Sequence, residues 1–264
     1  MPTAELISLK PGFSWQRLSL VARYYYPLLR PQILIYPLTA LVLAVIRSAL
    51  NHSELGILSD GMLDSFLNFM MYFSPCIFAK RSDRYIETML PATGAEKSVF
   101  ILTYCLVILP LLTWGLHYCA LAAIDYFWPA DDIVLAFKSS VNELNGIIGM
   151  SALVRIAQDY IPLSTCLFCV MALKNNRMLL SMVWAVVSLI VITMLGAVAG
   201  VWVVMSEGFE NLKELAETGA DGDEVPRYII GQLKTFIYIL SFAGVIYSLL
   251  MAWLTARKIS RIQL

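Results

Sequence analysis

Met178-Leu179-Leu180-Ser181-Met182-Val183-Trp184-Ala185-Val186-Val187-Ser188-Leu189-Ile190-Val191-Ile192-Thr193-Met194-Leu195-Gly196-Ala197-Val198-Ala199-Gly200-Val201-Trp202-Val203-Val204 runs for 27 residues without one ionisable side chain. About 20 apolar residues carry a helix across a ~30 Å hydrocarbon core. Five comparable stretches lie at 32–50, 62–79, 99–123, 146–173 and 228–254. The chain as a whole is 59% hydrophobic and 14% charged, with a mean hydropathy of +0.72. Soluble domains are about 45–50% apolar and about 25% charged. A chain of 264 residues has too little polar sequence to surround six such helices in water. The expected fold is therefore all-α: a polytopic membrane protein with six transmembrane helices.

Charge orients the spans. With the N-terminus inside and six crossings, the inside segments are 1–31, 80–98, 174–177 and 255–264. They hold 13 of the 19 basic residues and 4 of the 19 acidic ones. Lys and Arg are retained on the cytoplasmic side of membrane proteins, so both termini are expected there. The net charge of zero hides this asymmetry. It gives no sign of nucleic-acid binding. No cleavable signal peptide is legible, because the first apolar stretch starts near residue 32 without a short apolar region and a small-residue cleavage site. A cytoplasmic (inner) membrane is the expected location, with the lipid bilayer as solvent.

Residues 1–31 form an arm ahead of the first span. Trp15, Arg17, Arg23, Tyr24, Tyr25, Tyr26 and Arg30 are residue types that favour the headgroup level. An interfacial helix, bent from the first span at Pro27 and Pro31, fits them. A plain juxtamembrane aromatic belt is the alternative. The remainder, 32–264, is the six-helix domain, with a cytosolic loop at 80–98 and outer loops at 124–145 and 205–227.

The loop at 80–98 mixes charges of both signs with Tyr85, Ile86, Met89 and Leu90, and Pro91 and Gly94 break it. Thr93 followed by Glu96 is a capping-box pattern that starts the third span near Ala95. This is either a rigid knob for a cytosolic partner or a solvated loop. Thr88-Met89-Leu90-Pro91-Ala92-Thr93-Gly94-Ala95-Glu96-Lys97, the aromatic arm and six spans with both ends inside together resemble the ABC-2 type of permease subunit in ATP-binding-cassette transporters. Permease-like proteins of Bacteroidota are similar in this loop. The resemblance spans the whole chain in topology but about ten residues in motif. It implies a permease, an exporter, coupled through this loop to a separate P-loop ATPase subunit and paired with a second copy or a sister permease. It also implies an elbow helix at the arm and a coupling helix at 84–89. The implied coupling-loop residues are Arg84, Tyr85, Glu87, Met89, Pro91, Glu96 and Lys97, the last three shaping the turn. The outer loops are longer than a minimal permease of this type requires. The alternative function is a non-transporting anchor or regulatory protein that recruits a cytosolic partner. A small secondary carrier is a third reading, although no inverted repeat is legible.

The chain has no phosphate-binding loop of the G-x-x-x-x-G-K-[ST] pattern, no H-E-x-x-H and no G-x-S-x-G. It is not expected to be an enzyme, and no catalytic residue, metal or cofactor is expected. Cys166 and Cys169 form a C-x-x-C within a span, where small apolar packing explains them better than redox chemistry. Arg155 and Asp159, four apart on one helix face, are a candidate polar pair. They lie either at the outer surface, on a helix running flat before Pro162, or along a substrate path. His117 reads as a solvated residue near an outer end. Gly196 and Gly200 form a Gly-x-x-x-Gly, a candidate helix-packing or dimer face. Asp221, Asp223 and Glu224 lack the full spacing of a calcium loop and read as a solvated acidic segment.

Overall fold

The computed structural model describes residues 13–50, 56–80, 92–128, 152–173, 177–206 and 224–261. Among them the chain is helical nearly throughout and has no strand. The helices are α1 (Trp15–Leu50), α2 (Gly56–Tyr72) with a 3-10 turn at Ser74–Lys80, α3 (Gly94–Phe127), α4 (Ala152–Ala172), α5 (Arg177–Ser206) and α6 (Glu224–Arg261). Four segments, within α1, α3, α5 and α6, are long and apolar enough to cross a bilayer. α2 and α4 are shorter.

The arm and the first span are one helix. α1 continues through Pro27, Pro31 and Pro37 for 36 residues, about 54 Å at 1.5 Å per residue. The expected break between arm and span at Pro27 and Pro31 is not seen among the described residues, since the helix runs on through both. Arg17, Val21, Tyr25 and Leu29 recur every fourth residue and are all buried, so the arm shows one face to its neighbours. Tyr25 stacks on Phe100 of α3 at 5.5 Å between ring centroids, and its edge meets Phe78 at 5.9 Å. Phe78 in turn abuts Tyr104. These four rings form the centre of the larger core cluster. Each such aromatic pair is worth about 0.5–1.5 kcal/mol beyond area burial.

The outward surface is apolar. Leu34, Leu38, Val45, Met194, Val198, Ile239, Phe242 and Leu249 are all exposed. In lipid this belt is the expected surface. It also means that burial of apolar area cannot hold the helices together, since lipid tails are as apolar as leucine. Close packing and interhelical hydrogen bonds must do so, and buried polar ties are frequent. Gln32 of α1 donates to the Ser74 carbonyl at 2.7 Å and accepts from the Tyr104 hydroxyl at 3.1 Å. Thr165 of α4 and Tyr247 of α6 join hydroxyl to hydroxyl at 3.1 Å. Trp114 of α3 donates its indole N–H to Asn68 of α2 at 3.0 Å.

One proline explains a further tie. A proline leaves the carbonyl four residues earlier without its helical donor. Pro110 follows a single π-turn at Tyr104–Ile108, where the Leu109 N–H reaches back to Tyr104. In a regular helix the Leu106 carbonyl would pair with the N–H that Pro110 lacks. The Tyr160 hydroxyl of α4 donates to it instead, at 2.8 Å. Neighbouring helices re-satisfy backbone groups freed by proline in this way. Tyr160→Phe is therefore expected to lower stability by about 1 kcal/mol. In a Pro110→Ala background the helical N–H returns, and the same change costs less. A double-mutant cycle on thermal melting in detergent checks this; equal costs in both backgrounds would show that Tyr160 does not serve the freed carbonyl.

Candidate functional site

α3 gives a depth scale. Glu96 lies near its start, Tyr104 and Trp114 along its middle, and His117 towards its far end. Three polar centres fall at three levels on that scale.

At the first level, Thr93 caps α3 in extended backbone conformation, and the reciprocal capping box with Glu96 is complete. Glu96 does more than cap. Its Oε1 accepts from the Ser14 backbone N–H at 2.8 Å and from Arg17 Nε at 3.0 Å. Its Oε2 accepts from the Thr93 N–H at 2.8 Å. Arg17 and Glu96 are 4% and 0% exposed, so this is a buried ion pair. Ser98 then donates to the Ala256 carbonyl of α6 at 3.2 Å. Three helices are thus fastened together beside the loop at 81–91. Lys97 is buried here too. Of the loop residues singled out in the sequence, Glu96 and Lys97 belong to this junction, while Arg84, Tyr85, Glu87, Met89 and Pro91 lie outside the described residues.

At the far level, Asp64 of α2 accepts from Arg47 of α1 through both oxygens, at 2.9 and 3.1 Å. His117 Nε2 lies 3.3 Å from the same carboxylate, and its Nδ1 lies 3.0 Å from the Ala40 carbonyl. The side chain is 0% exposed. The expectation of a solvated histidine is corrected: His117 is a fully enclosed tie between α1, α2 and α3. Both of its partners are acceptors, so the arrangement is satisfied when both ring nitrogens carry protons.

The middle level carries the candidate site. Asp159 on α4 accepts from the Tyr72 hydroxyl of α2 at 3.0 Å. It lines two cavities at once. One, of about 580 Å³, lies among α2, α4, α5 and α6 and gathers Asn68, Tyr72, Thr193 and Ser241 around it. The other, of about 620 Å³, lies among α3, α4 and α6 and is walled by Trp114, Tyr118 and Tyr160. The Trp114 and Tyr160 rings meet edge to face at 6.1 Å. On the α3 side this cavity runs from Leu106 and Val107 past Trp114 to Tyr118. Carboxylates within apolar helices of a membrane protein are rare and usually functional.

α4 carries Arg155 one turn earlier, but its side chain is outside the described residues, so the expected pairing with Asp159 is not described. Gly196 of α5 faces Leu240 of α6 within the same chain, where an added Cβ would lie 3.5 Å from Cδ2. Gly200's surroundings are outside the described residues, as are 129–151 and 207–223 of the two outer loops. Cys166 does not pair with Cys169. Its sulfur lies 3.6 Å from that of Cys76 at the 3-10 turn, and Cys76 also meets Ser181 of α5 at 3.6 Å. Reading the sequence picks out Asp159 but misses Tyr72, Asn68, Trp114 and Tyr160. Asn68 carried a usable signal, as an amide inside an apolar stretch; the aromatic residues look like any others in a membrane helix.

Among the described residues no group of three or more His, Cys, Asp or Glu side chains is placed to hold a metal ion. Comparison with protein families, curated proteins and solved structures finds no match for this chain.

Proposed function

We propose that this protein is the membrane-spanning permease subunit of an ATP-binding-cassette transporter of the ABC-2 type, working as an exporter. On this reading α2 and α4 complete six crossings, both termini are cytosolic, and the subunit works in the cytoplasmic membrane with a second copy or a sister permease. ATP hydrolysis belongs to a separate P-loop ATPase seated on the loop at 80–98. The observation that carries the reading is the Glu96 junction. The first turn of α1, the cap of α3 and the end of α6 meet where the loop rejoins the membrane domain, and a buried ion pair binds the first two. A push on that loop would pass directly into these helices. Rigid elements joined by such contacts are what mechanical coupling between a cytosolic motor and a membrane path requires. The Asp159 site between two cavities supplies a polar station on that path.

The test is affinity purification from the native membrane in mild detergent, comparing the wild type with a variant carrying Glu87→Arg and Met89→Asp. A P-loop ATPase is expected with the wild type and is expected to be lost from the variant, with the variant's melting temperature unchanged. Absence of an ATPase from the folded wild type would sink the proposal.

A further inference from the structure

We infer that Cys76 and Cys166 form a binding site for a soft divalent cation of the zinc class, held as a dithiolate between the turn after α2 and the middle of α4. The inference is independent of the permease reading.

Three observations converge. The first is position. Cys76 comes from the 3-10 turn at Ser74–Lys80, Cys166 from α4 and Ser181 from the start of α5. The bundle sets the two sulfurs 3.6 Å apart and the Ser181 hydroxyl 3.6 Å from the Cys76 sulfur. Both cysteines are free thiols, 4% and 0% exposed. The second is geometry. A tetrahedral ion with Zn–S bonds of about 2.3 Å holds two sulfurs about 3.8 Å apart, so an ion enters this pair with almost no movement of either helix. Ser181 gives its hydrogen to the Met178 carbonyl at 2.9 Å, and its oxygen thus turns lone pairs, not a proton, towards the Cys76 sulfur. The third is charge. The ion replaces two S–H protons, which pass to water. A divalent ion with two thiolates is neutral, the form that an apolar interior accepts. A monovalent ion such as Cu(I) would leave a negative charge there. Mg2+ and Ca2+ take oxygen ligands and are rejected by thiolates. The C-x-x-C spacing is not the source of the site, since the partner of Cys166 comes from another element and Cys169 is only partly buried. A bound ion would pin the turn that leads into the loop at 81–91 to the body of the bundle.

The experiment uses the full chain in phosphatidylcholine nanodiscs, with Cys119→Ser to remove the exposed thiol. Cd2+ is the probe, because thiolate-to-cadmium charge transfer absorbs in the ultraviolet and so reports sulfur ligation directly. One Cd2+ per chain is expected, with a charge-transfer band, release of two protons, displacement by Zn2+ and no displacement by excess Mg2+. Cys76→Ser and Cys166→Ser are each expected to abolish the band and weaken binding at least about a hundredfold, while Cys169→Ser leaves both unchanged. The chain with Cys76 and Cys166 intact supplies a check that survives any misfolding of the serine variants: Zn2+ is expected to raise its melting temperature, as a ligand of the native state alone does, and Mg2+ is not. No charge-transfer band, no rise with Zn2+, or binding that depends on Cys169 and not on Cys76 would overturn the inference.

Discussion

Glu96→Gln is expected to lower the protein's stability by about 3–5 kcal/mol, the range for removing one partner of a buried ion pair. The reason lies in what the carboxylate faces. Both oxygens accept from donors: Ser14 N–H and Arg17 Nε at one, Thr93 N–H at the other. Glutamine keeps one acceptor and turns the other position into an NH2 group that points at a donor. Arg17, 4% exposed, keeps its burial and loses this carboxylate. The change is one atom, so packing is preserved and the loss is electrostatic. Thermal melting in detergent should show a large drop, with Arg17→Gln adding much less on top of it than it costs alone, because the two residues act as one unit. A drop no larger than that of the exposed control Arg257→Gln would show that the junction carries no stability.

Gly244→Leu should rank next, at about 3 kcal/mol, the upper range for overpacking a filled interface. An ideal Cβ on Gly244 of α6 would lie 2.7 Å from Cδ1 of Ile161 and 3.4 Å from the Cβ of Ala157, both on α4. One added methyl meets the far end of a flexible side chain, so Gly244→Ala should cost far less. Leucine has nowhere to go unless the helices part. Ile161→Ala should therefore recover most of the loss in the double variant, read by the same melting assay. Gly196→Ala is the contrast. Its added methyl finds only an ordinary contact with Leu240, and alanine is the better helix former by about 1 kcal/mol, so no loss is expected. If Gly244→Leu were neutral as well, α4 and α6 would not approach as closely as described.

These two glycines show where sequence reading stops. Gly196 and Gly200 carry the Gly-x-x-x-Gly pattern, and the pattern draws attention to them. Gly244 lacks a second glycine and has Ser248 four residues on, a small-x-x-x-small spacing that the glycine pattern alone passes over, yet it makes the closest helix approach of the three glycines with described surroundings. A motif records spacing on one helix, while close approach depends on what the facing helix presents, here Ala157 and Ile161. The prolines repeat the lesson. Pro110 is visible at once in the sequence, but whether it is a hinge or a fixed bend depends on whether another helix serves the freed carbonyl. Tyr160, fifty residues on, does so.

The sequence alone determined the solvent of this protein and the class of its fold. Uncharged runs as long as 178–204 demand lipid, and in lipid a single unpaired segment must satisfy its own backbone, which only a helix does. It also determined the start of α3, because a capping box is complete within four residues, Thr93 to Glu96. The tertiary structure decided what those residues face. Arg17 reads as a headgroup anchor until Glu96 is brought to it in a buried ion pair. His117 reads as solvated until Ala40 and Asp64 close around it. Asp159 is legible as a carboxylate in an apolar stretch, but only the bundle sets it between two cavities with Tyr72 in hydrogen-bond contact. In each case the local signal comes from one helix, while the partner lies on another, dozens of residues away. Lipid exerts no hydrophobic pull that would reveal which faces meet.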